Sequence, residues 1–271
     1  MLVFPNAKIN IGLKVIRKRH DGFHDIESLL YPLSLRDVLE ILPVTGDETS
    51  FLSVSGLDVP VDEMNLCLKA ASLLRLKYAF PEVRIHLHKI IPVGGGLGGG
   101  SADGAFTLKN INDQFRLNLS QQALLEYAGN LGSDCPFFIP NEPSLVCGRG
   151  EILSPVSPCL KGYYLLLVVP DLKVDTSNAY KMVHPRDEGE NLSEITRLPP
   201  ENWQGRILNC FEGPMFSEYP ELRAIKNRLY DSGALYASMT GSGSGIYGIY
   251  DSLPDPPREF HRYIVHREKL A

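Results

Sequence analysis

The chain has 271 residues, 44% of them hydrophobic and 22% charged, which is enough apolar material for one large domain or two ordinary ones. Its formal net charge of −5 speaks against a nucleic-acid or membrane partner held by a broad basic face. No run reaches the roughly 18 apolar residues that span a bilayer, and the five cysteines lack metal-type spacing, so the sequence predicts reduced thiols in a cytoplasm, no secretory leader and no membrane contact.

Near the start, Ile9, Ile11, Leu13 and Val15 alternate with Lys8, Asn10, Gly12 and Lys14, the period of a half-buried strand that puts Lys8 and Asn10 on one face. A turn at Asp21-Gly22 leads directly to Phe23 and His24. Leu66, Ala70, Leu73 and Leu74 predict a helix over 66–78, with Asn65 placed as its N-cap. Val83, Ile85 and Leu87 then mark a second strand. His86 and His88 share its other face at a spacing a metal could use, but with no third ligand in view a solvated face is the better reading. Ala102, Ala105, Phe106, Leu108, Ile111 and Phe115 form a helical apolar face, and another helix runs from Ser120 to Gly132. "KGYYLLLVVPD" (161–171) reads as a buried strand. The proline- and glycine-rich stretch 140–162 reads as a domain boundary, dividing 1–158 from 159–271. The polar stretch 184–206 reads as a loop or irregular insert.

Six glycines occupy seven positions in "GGGLGGG" (94–100), between that second strand and a well-patterned helix, which is no place for a linker. Such a loop presents free backbone N–H groups at the positive end of a helix dipole, a site for phosphates. Gly100 stands where a Walker A loop requires lysine. Gly94, Gly96 and Gly99 satisfy G-x-G-x-x-G, but the acidic residue at dinucleotide spacing, Asp113, falls at the end of the helix rather than of a strand.

"PNAKINIGL" (5–13), "PVGGGLGGGSAD" (92–103), "GSDCPFFI" (132–139) and "MTGSGSGIYG" (239–248) resemble, in order, the motifs of the GHMP kinases, named for galactokinase, homoserine, mevalonate and phosphomevalonate kinases. "DGFHDIESL" (21–29) narrows the likeness to the branch whose small-molecule substrate carries a cytidine diphosphate, in the non-mevalonate route to isoprenoids. The resemblance implies an α+β fold with an N-terminal domain like ribosomal protein S5 domain 2 and a C-terminal ferredoxin-like domain. It also implies transfer of the γ-phosphoryl of ATP, with Mg²⁺, to the substrate's 2-hydroxyl, by a monomer or weak homodimer.

Site residues follow from the same resemblance. Asp134 matches the general base, although on its own a Gly-Ser-Asp reads equally as a turn cap. Lys8 would keep it ionised and stabilise charge on the transferring group. The loop Pro92, Val93, Gly94, Gly95, Gly96, Leu97, Gly98, Gly99, Gly100, Ser101 and Ala102 would hold ATP, with Lys89 and Asn65 near the adenine. For Asn65 the plain N-cap reading stands beside that one. Asn10 and Thr176 would contact substrate, Phe23 and Tyr180 would sandwich the cytosine, and His24 would bond its edge. Gly241 lies in a glycine turn (241–245) that either faces the substrate or lets a hairpin pack closely. The Mg²⁺ ligands stay unassigned, since the family's second loop hydroxyl is replaced by Ala102. A homoserine or mevalonate kinase, a non-catalytic nucleotide binder and an RNA-binding module are the rival readings. "DGFH" with Tyr180, the Lys8–Asp134 pair and the acidic balance weigh against them in turn.

Overall fold

A computed structural model describes residues 1–44, 49–185 and 190–271. The chain forms two compact units. One comprises Met1–Ala7, Ser34–Val93 and Gly98–Glu142; the other comprises Lys8–Leu33, Gly94–Leu97 and Pro143–Ala271.

The first unit holds a sheet of four strands in the order β1 (Leu2–Val3), β4 (Val38–Pro43), β6 (Val83–Lys89) and β5 (Phe51–Gly56). β4 runs antiparallel to β6, and β5 runs parallel to it. Period-2 alternation in β6 buries Val83, Ile85 and Leu87 completely or nearly so. Each such side chain contributes about 1.5–3 kcal/mol relative to exposure. The opposite face carries His86 and His88, whose Nδ1 atoms lie 2.9 Å from the hydroxyls of Ser53 and Ser55. Among the described residues no three His, Cys, Asp or Glu side chains gather as a metal site.

Three helices accompany this sheet: α1 (Leu66–Arg75), α2 (Gly99–Gln114) and α3 (Gln121–Leu131). α1 ends at Arg75, short of the predicted 78, where the chain tightens as Lys77 N and Tyr78 N both turn back onto Leu74 O. Gly104 lets α1 approach α2, since a Cβ there would lie 2.9 Å from that of Leu66. Asn65 caps α1 and Ser120 caps α3, each accepting a bond from a first-turn N–H.

The second unit has two four-stranded sheets. One has the order β2 (Asn6–Lys18), β3 (His24–Arg36), β7 (Ser144–Cys147), β8 (Ile152–Pro155), although residues 6–7 and 34–36 at the strand ends belong to the first unit. β7 and β8 fall inside the stretch read as a boundary, where short strands between turns leave too few residues for alternation to show. β2 also departs from expectation. Lys8 and Asn10 are 3% and 5% exposed, so both faces of the strand are buried.

The other sheet runs β10 (Tyr236–Met239), β11 (Ile246–Tyr250), β9 (Tyr164–Val169), β12 (Ile264–Lys269), antiparallel throughout. Helices α4 (Thr176–Met182), α5 (Leu192–Ile195), α6 (Glu212–Glu218) and α7 (Pro220–Asp231) complete the unit. Leu13, Val15 and Ile26 join Leu166, Val168, Met239 and Ile246, with Phe211, Leu222 and Leu229, in one core. Within the predicted insert 184–206, residues 186–189 lie outside the described residues. The remainder is more ordered than its polarity suggests, because Leu192, Ile195 and Trp203 are buried and the Trp203 indole donates to Leu198 O at 2.8 Å.

Candidate active site

The glycine loop follows Lys89 at the end of β6 and runs into α2. Its backbone alternates, with left-handed φ of +80° at Gly94, +71° at Gly96 and +69° at Gly98. Alternation of this kind turns successive N–H groups toward one side, the geometry of an anion nest. Gly98 is the N-cap of α2 and supplies no capping side chain, as is also the case at α6 and α7, whereas α1, α3, α4 and α5 have one. The first-turn amides of α2 are thus left for another acceptor. Ser101, in that turn, is hydrogen-bonded to Cys135, whose thiol burial pushes up to about 12. Pro92, Val93 and Leu97 complete the bend, and Ala102 is buried beneath it.

In the second unit the loop segment 94–97 is built into a polar network around Lys8. Lys8 Nζ donates to Asn10 Oδ1 at 2.5 Å and to Gly96 O at 3.0 Å, and Lys8 N donates to Leu97 O at 2.9 Å. Thr240 Oγ1 accepts from Asn10 N at 3.0 Å and donates to Gly96 O at 3.1 Å. A Cβ on Gly96 would fall 2.1 Å from Thr240 O, so only glycine permits this approach. The turn containing Gly241 lies against the same segment, with Ser244 N and Gly245 N bonded to Gly94 O and Gly95 O. Asn209 holds the turn from below: its Nδ2 donates to Met239 O and Gly241 O, both at 2.8 Å. At its rim Thr176 Oγ1 and Ser242 Oγ lie 3.2 Å apart.

The residues predicted to hold the base all belong to the second unit. Tyr180 stacks on His24, with centroids 4.9 Å apart and planes at 24°, and meets Phe211 edge-on. Phe23 stands half exposed under the guanidinium of Arg149, 4.9 Å from its centroid. His24 therefore offers a ring face rather than only an edge, and burial, helped by Lys18, lowers its pKa.

In the first unit, Lys89 is enclosed rather than presented. Its ammonium is paired with both Asp37 and Asp103, and all three side chains are 4% exposed or less. Asp37 Oδ1 also accepts from the backbone amides of Ile90 and Ile91, and a Cβ on Gly99 would lie 2.9 Å from Lys89 Nζ. Lys89, read from the sequence as lying near the adenine, forms here a staple between the end of β6 and the start of α2. Asn65 caps α1 through its Oδ1 and donates from Nδ2 to Pro60 O at 2.8 Å, so both ends of its amide are engaged. Asp134 heads the 3-10 turn Cys135–Phe138, which is anchored by the buried Phe137 and Phe138.

The comparisons with known proteins agree with these features. GHMP kinases N terminal domain matches residues 65–141, and GHMP kinases C terminal matches 189–263. The chain is 48% identical to 4-diphosphocytidyl-2-C-methyl-D-erythritol kinase of Parabacteroides distasonis, over 93% of this chain and 92% of that one. It is 47% identical to the protein of the same name from Azobacteroides pseudotrichonymphae, over 98% and 99%. A crystal structure of 4-(cytidine 5'-diphospho)-2C-methyl-D-erythritol kinase superposes with a TM-score of 0.77 at 35% identity, covering 92% of this chain and 90% of that one. Homoserine kinase from Cytophaga hutchinsonii shares the fold, with a TM-score of 0.68 at 15% identity over 98% and 95%. The chain belongs to the GHMP kinase family. It is a small-molecule kinase of the two-domain GHMP fold, and within the family it groups with the cytidyl-methylerythritol branch.

Proposed function

We propose that this enzyme transfers the γ-phosphoryl group of ATP to the 2-hydroxyl of 4-diphosphocytidyl-2-C-methyl-D-erythritol, giving the 2-phosphate and ADP, in a cytoplasm. The observation that carries the reading is the buried Lys8 ammonium bonded to Gly96 O, which ties a fixed cation to the glycine loop. Phosphoryl transfer asks for positioning and electrostatic stabilisation more than for covalent chemistry, and a cation on a phosphate nest supplies both. Asp134 takes the proton of the 2-hydroxyl, and Lys8 stabilises the negative charge that develops. The loop from Pro92 to Ala102, with the uncapped α2 start, holds the phosphates of ATP; Asn65 flanks the adenine.

Tyr180, Phe23 and His24 hold the cytosine by stacking and by the His24 ring nitrogens. Asn10, Thr176 and the Gly241 turn line the path to the acceptor. Mg²⁺ bound with ATP neutralises phosphate charge. Among the described residues no group of three or more His, Cys, Asp or Glu side chains gathers as a metal site, and no protein ligand to Mg²⁺ is assigned. The family's two domains divide at residue 158. The two matched regions fall on either side of it, although the compact units interleave across it.

The test is ADP release with ATP, Mg²⁺ and the cytidyl substrate, run beside Asp134→Ala, with mevalonate and homoserine as controls. Turnover confined to the cytidyl substrate and reduced about 10²- to 10⁴-fold in the folded variant is expected. Activity on a control alone reassigns the substrate, and an unaffected variant removes Asp134 from the mechanism.

A further inference from the structure

Ser28, in β3 near the end of the stretch 21–29, has no exposed surface and carries no role so far. Its hydroxyl donates to Gly12 O at 2.6 Å and accepts from Asn10 Nδ2 at 2.9 Å. Asn10 in turn accepts from Lys8 Nζ through Oδ1. The backbone of Asn10 is fixed at both ends, its N–H donating to Thr240 Oγ1 and its C=O accepting from Tyr247 Oη at 3.0 Å. What stays open is the direction of the side-chain amide. A half-turn about its last bond would exchange the carbonyl and the N–H₂.

We infer that Ser28 is a positioning residue for the phosphoryl-transfer reaction, setting the amide of Asn10 so that its carbonyl, and not its N–H₂, faces the Lys8 ammonium. Ser28 has a single hydroxyl proton, and the short bond to Gly12 O commits it. Toward Asn10 it offers only a lone pair, so Asn10 must present N–H₂ there and the carbonyl to Lys8. In the flipped amide the N–H₂ would meet an ammonium, donor against donor. Its carbonyl would meet an oxygen whose proton is already given away. Gly12 keeps its carbonyl on Ser28 because it takes a left-handed φ of +70°, and the space a Cβ would need is filled by Leu192 and Ile207. Without the Ser28 hydroxyl, the N–H₂ of Asn10 loses its acceptor, and the amide is held only at its carbonyl, by Lys8 and, at 3.4 Å, by Thr240 Oγ1. The ammonium then samples positions away from the Gly96 carbonyl.

The inference rests on the role given to Lys8 above, and the experiment separates the two. Steady-state kcat and both KM values are measured for wild type, Ser28→Ala, Asn10→Ala, the double variant and Lys8→Met, with thermal unfolding of each. Loss of a hydrogen bond acting in the transition state lowers kcat about ten-fold in Ser28→Ala, with both KM values within about two-fold of wild type. The double variant then matches Asn10→Ala alone, since Ser28 acts only through Asn10. A double variant slower by the product of the two single effects overturns the inference, as does a folded Ser28→Ala with wild-type kcat. Lys8→Met with unchanged kcat overturns the reading of Lys8 itself, and the inference with it. Should Ser28→Ala not fold, Ser28→Cys fills similar volume with a poor hydrogen-bonding group and carries the same expectation.

Discussion

Asp103→Asn isolates the electrostatics beneath the glycine loop. Two carboxylates, Asp37 and Asp103, share one ammonium, Lys89, in a region closed to water. Burial is the largest influence on Asp103 and raises its pKa; Lys89 pulls it down, Asp37 pushes it up, and the carboxyl ends at about 7 instead of 3.8. A folded-state pKa above the unfolded one means that the native protein binds the extra proton. The stability this supplies is complete below about pH 4 and is lost as pH rises toward 7. Realised fully, a change from 3.8 to about 7 corresponds to roughly 4 kcal/mol. Between pH 5 and pH 8 the part of that change still to be lost is about 2–3 kcal/mol.

Asparagine cannot ionise, yet keeps an oxygen for Lys89. Its N–H₂ falls where Asp103 Oδ1 has no partner, a cost of about 1–3 kcal/mol that does not vary with pH. The neighbouring Cys67 thiol, pushed up to about 12 by burial, stays neutral throughout, and Lys89, its pKa raised by the two carboxylates against burial, stays charged. Urea denaturation of both proteins at pH 5, 6, 7 and 8 should therefore show the variant gaining about 2–3 kcal/mol on wild type across the series, whatever their order at pH 5. Parallel pH profiles would refute the reasoning.

Gly98→Val forces a β-branched residue into a φ of +69° at the uncapped start of α2; ATP affinity by calorimetry should fall at least ten-fold while helix content is kept. A folded variant with unchanged nucleotide affinity would remove the loop from ATP binding. Tyr180→Leu takes away the ring stacked on His24, and KM for the cytidyl substrate should rise about ten-fold with KM for ATP unmoved. Asn209→Ala strips partners from Met239 O, Gly241 O and Phe211 N at once. A loss of about 2–4 kcal/mol is expected in chemical denaturation, and a loss below 1 kcal/mol would mean that water takes over the turn.

Much of this was legible in order along the chain, because alternation and capping act between near neighbours. β6 and α3 read directly from spacing and cap residues, and the phosphate loop from composition. The Asp37–Lys89–Asp103 staple did not, since its three members come from separate elements and no periodicity marks a carboxylate destined for the interior. Nothing in the sequence singles out Ser28 for the same reason: its role depends on the left-handed backbone at Gly12 and the amide of Asn10. The His24–Tyr180 stack escaped because sequence spacing cannot tell a ring's face from its edge.

The glycines themselves separate into different physical needs once the structure is laid beneath them. Gly94, Gly96 and Gly98 take left-handed backbone, while Gly95, Gly96 and Gly99 leave no room for a side chain against Val169, Thr240 and Lys89 or Ile91. Gly100 alone in the run is required by neither: its φ is helical and a Cβ would meet nothing within 4 Å. Packing therefore fixes the loop's shape before any ligand arrives, so the entropy that six glycines give up is lost on folding and not on binding ATP. If the loop holds the phosphates of ATP as proposed, a preformed nest would cost no reorganisation when phosphate charge shifts during transfer, which is where electrostatic catalysis gains most. The open space at Gly100 is the one feature of the run that the protein's own packing does not require, and on that proposal close approach of a phosphate to bare backbone accounts for the residue.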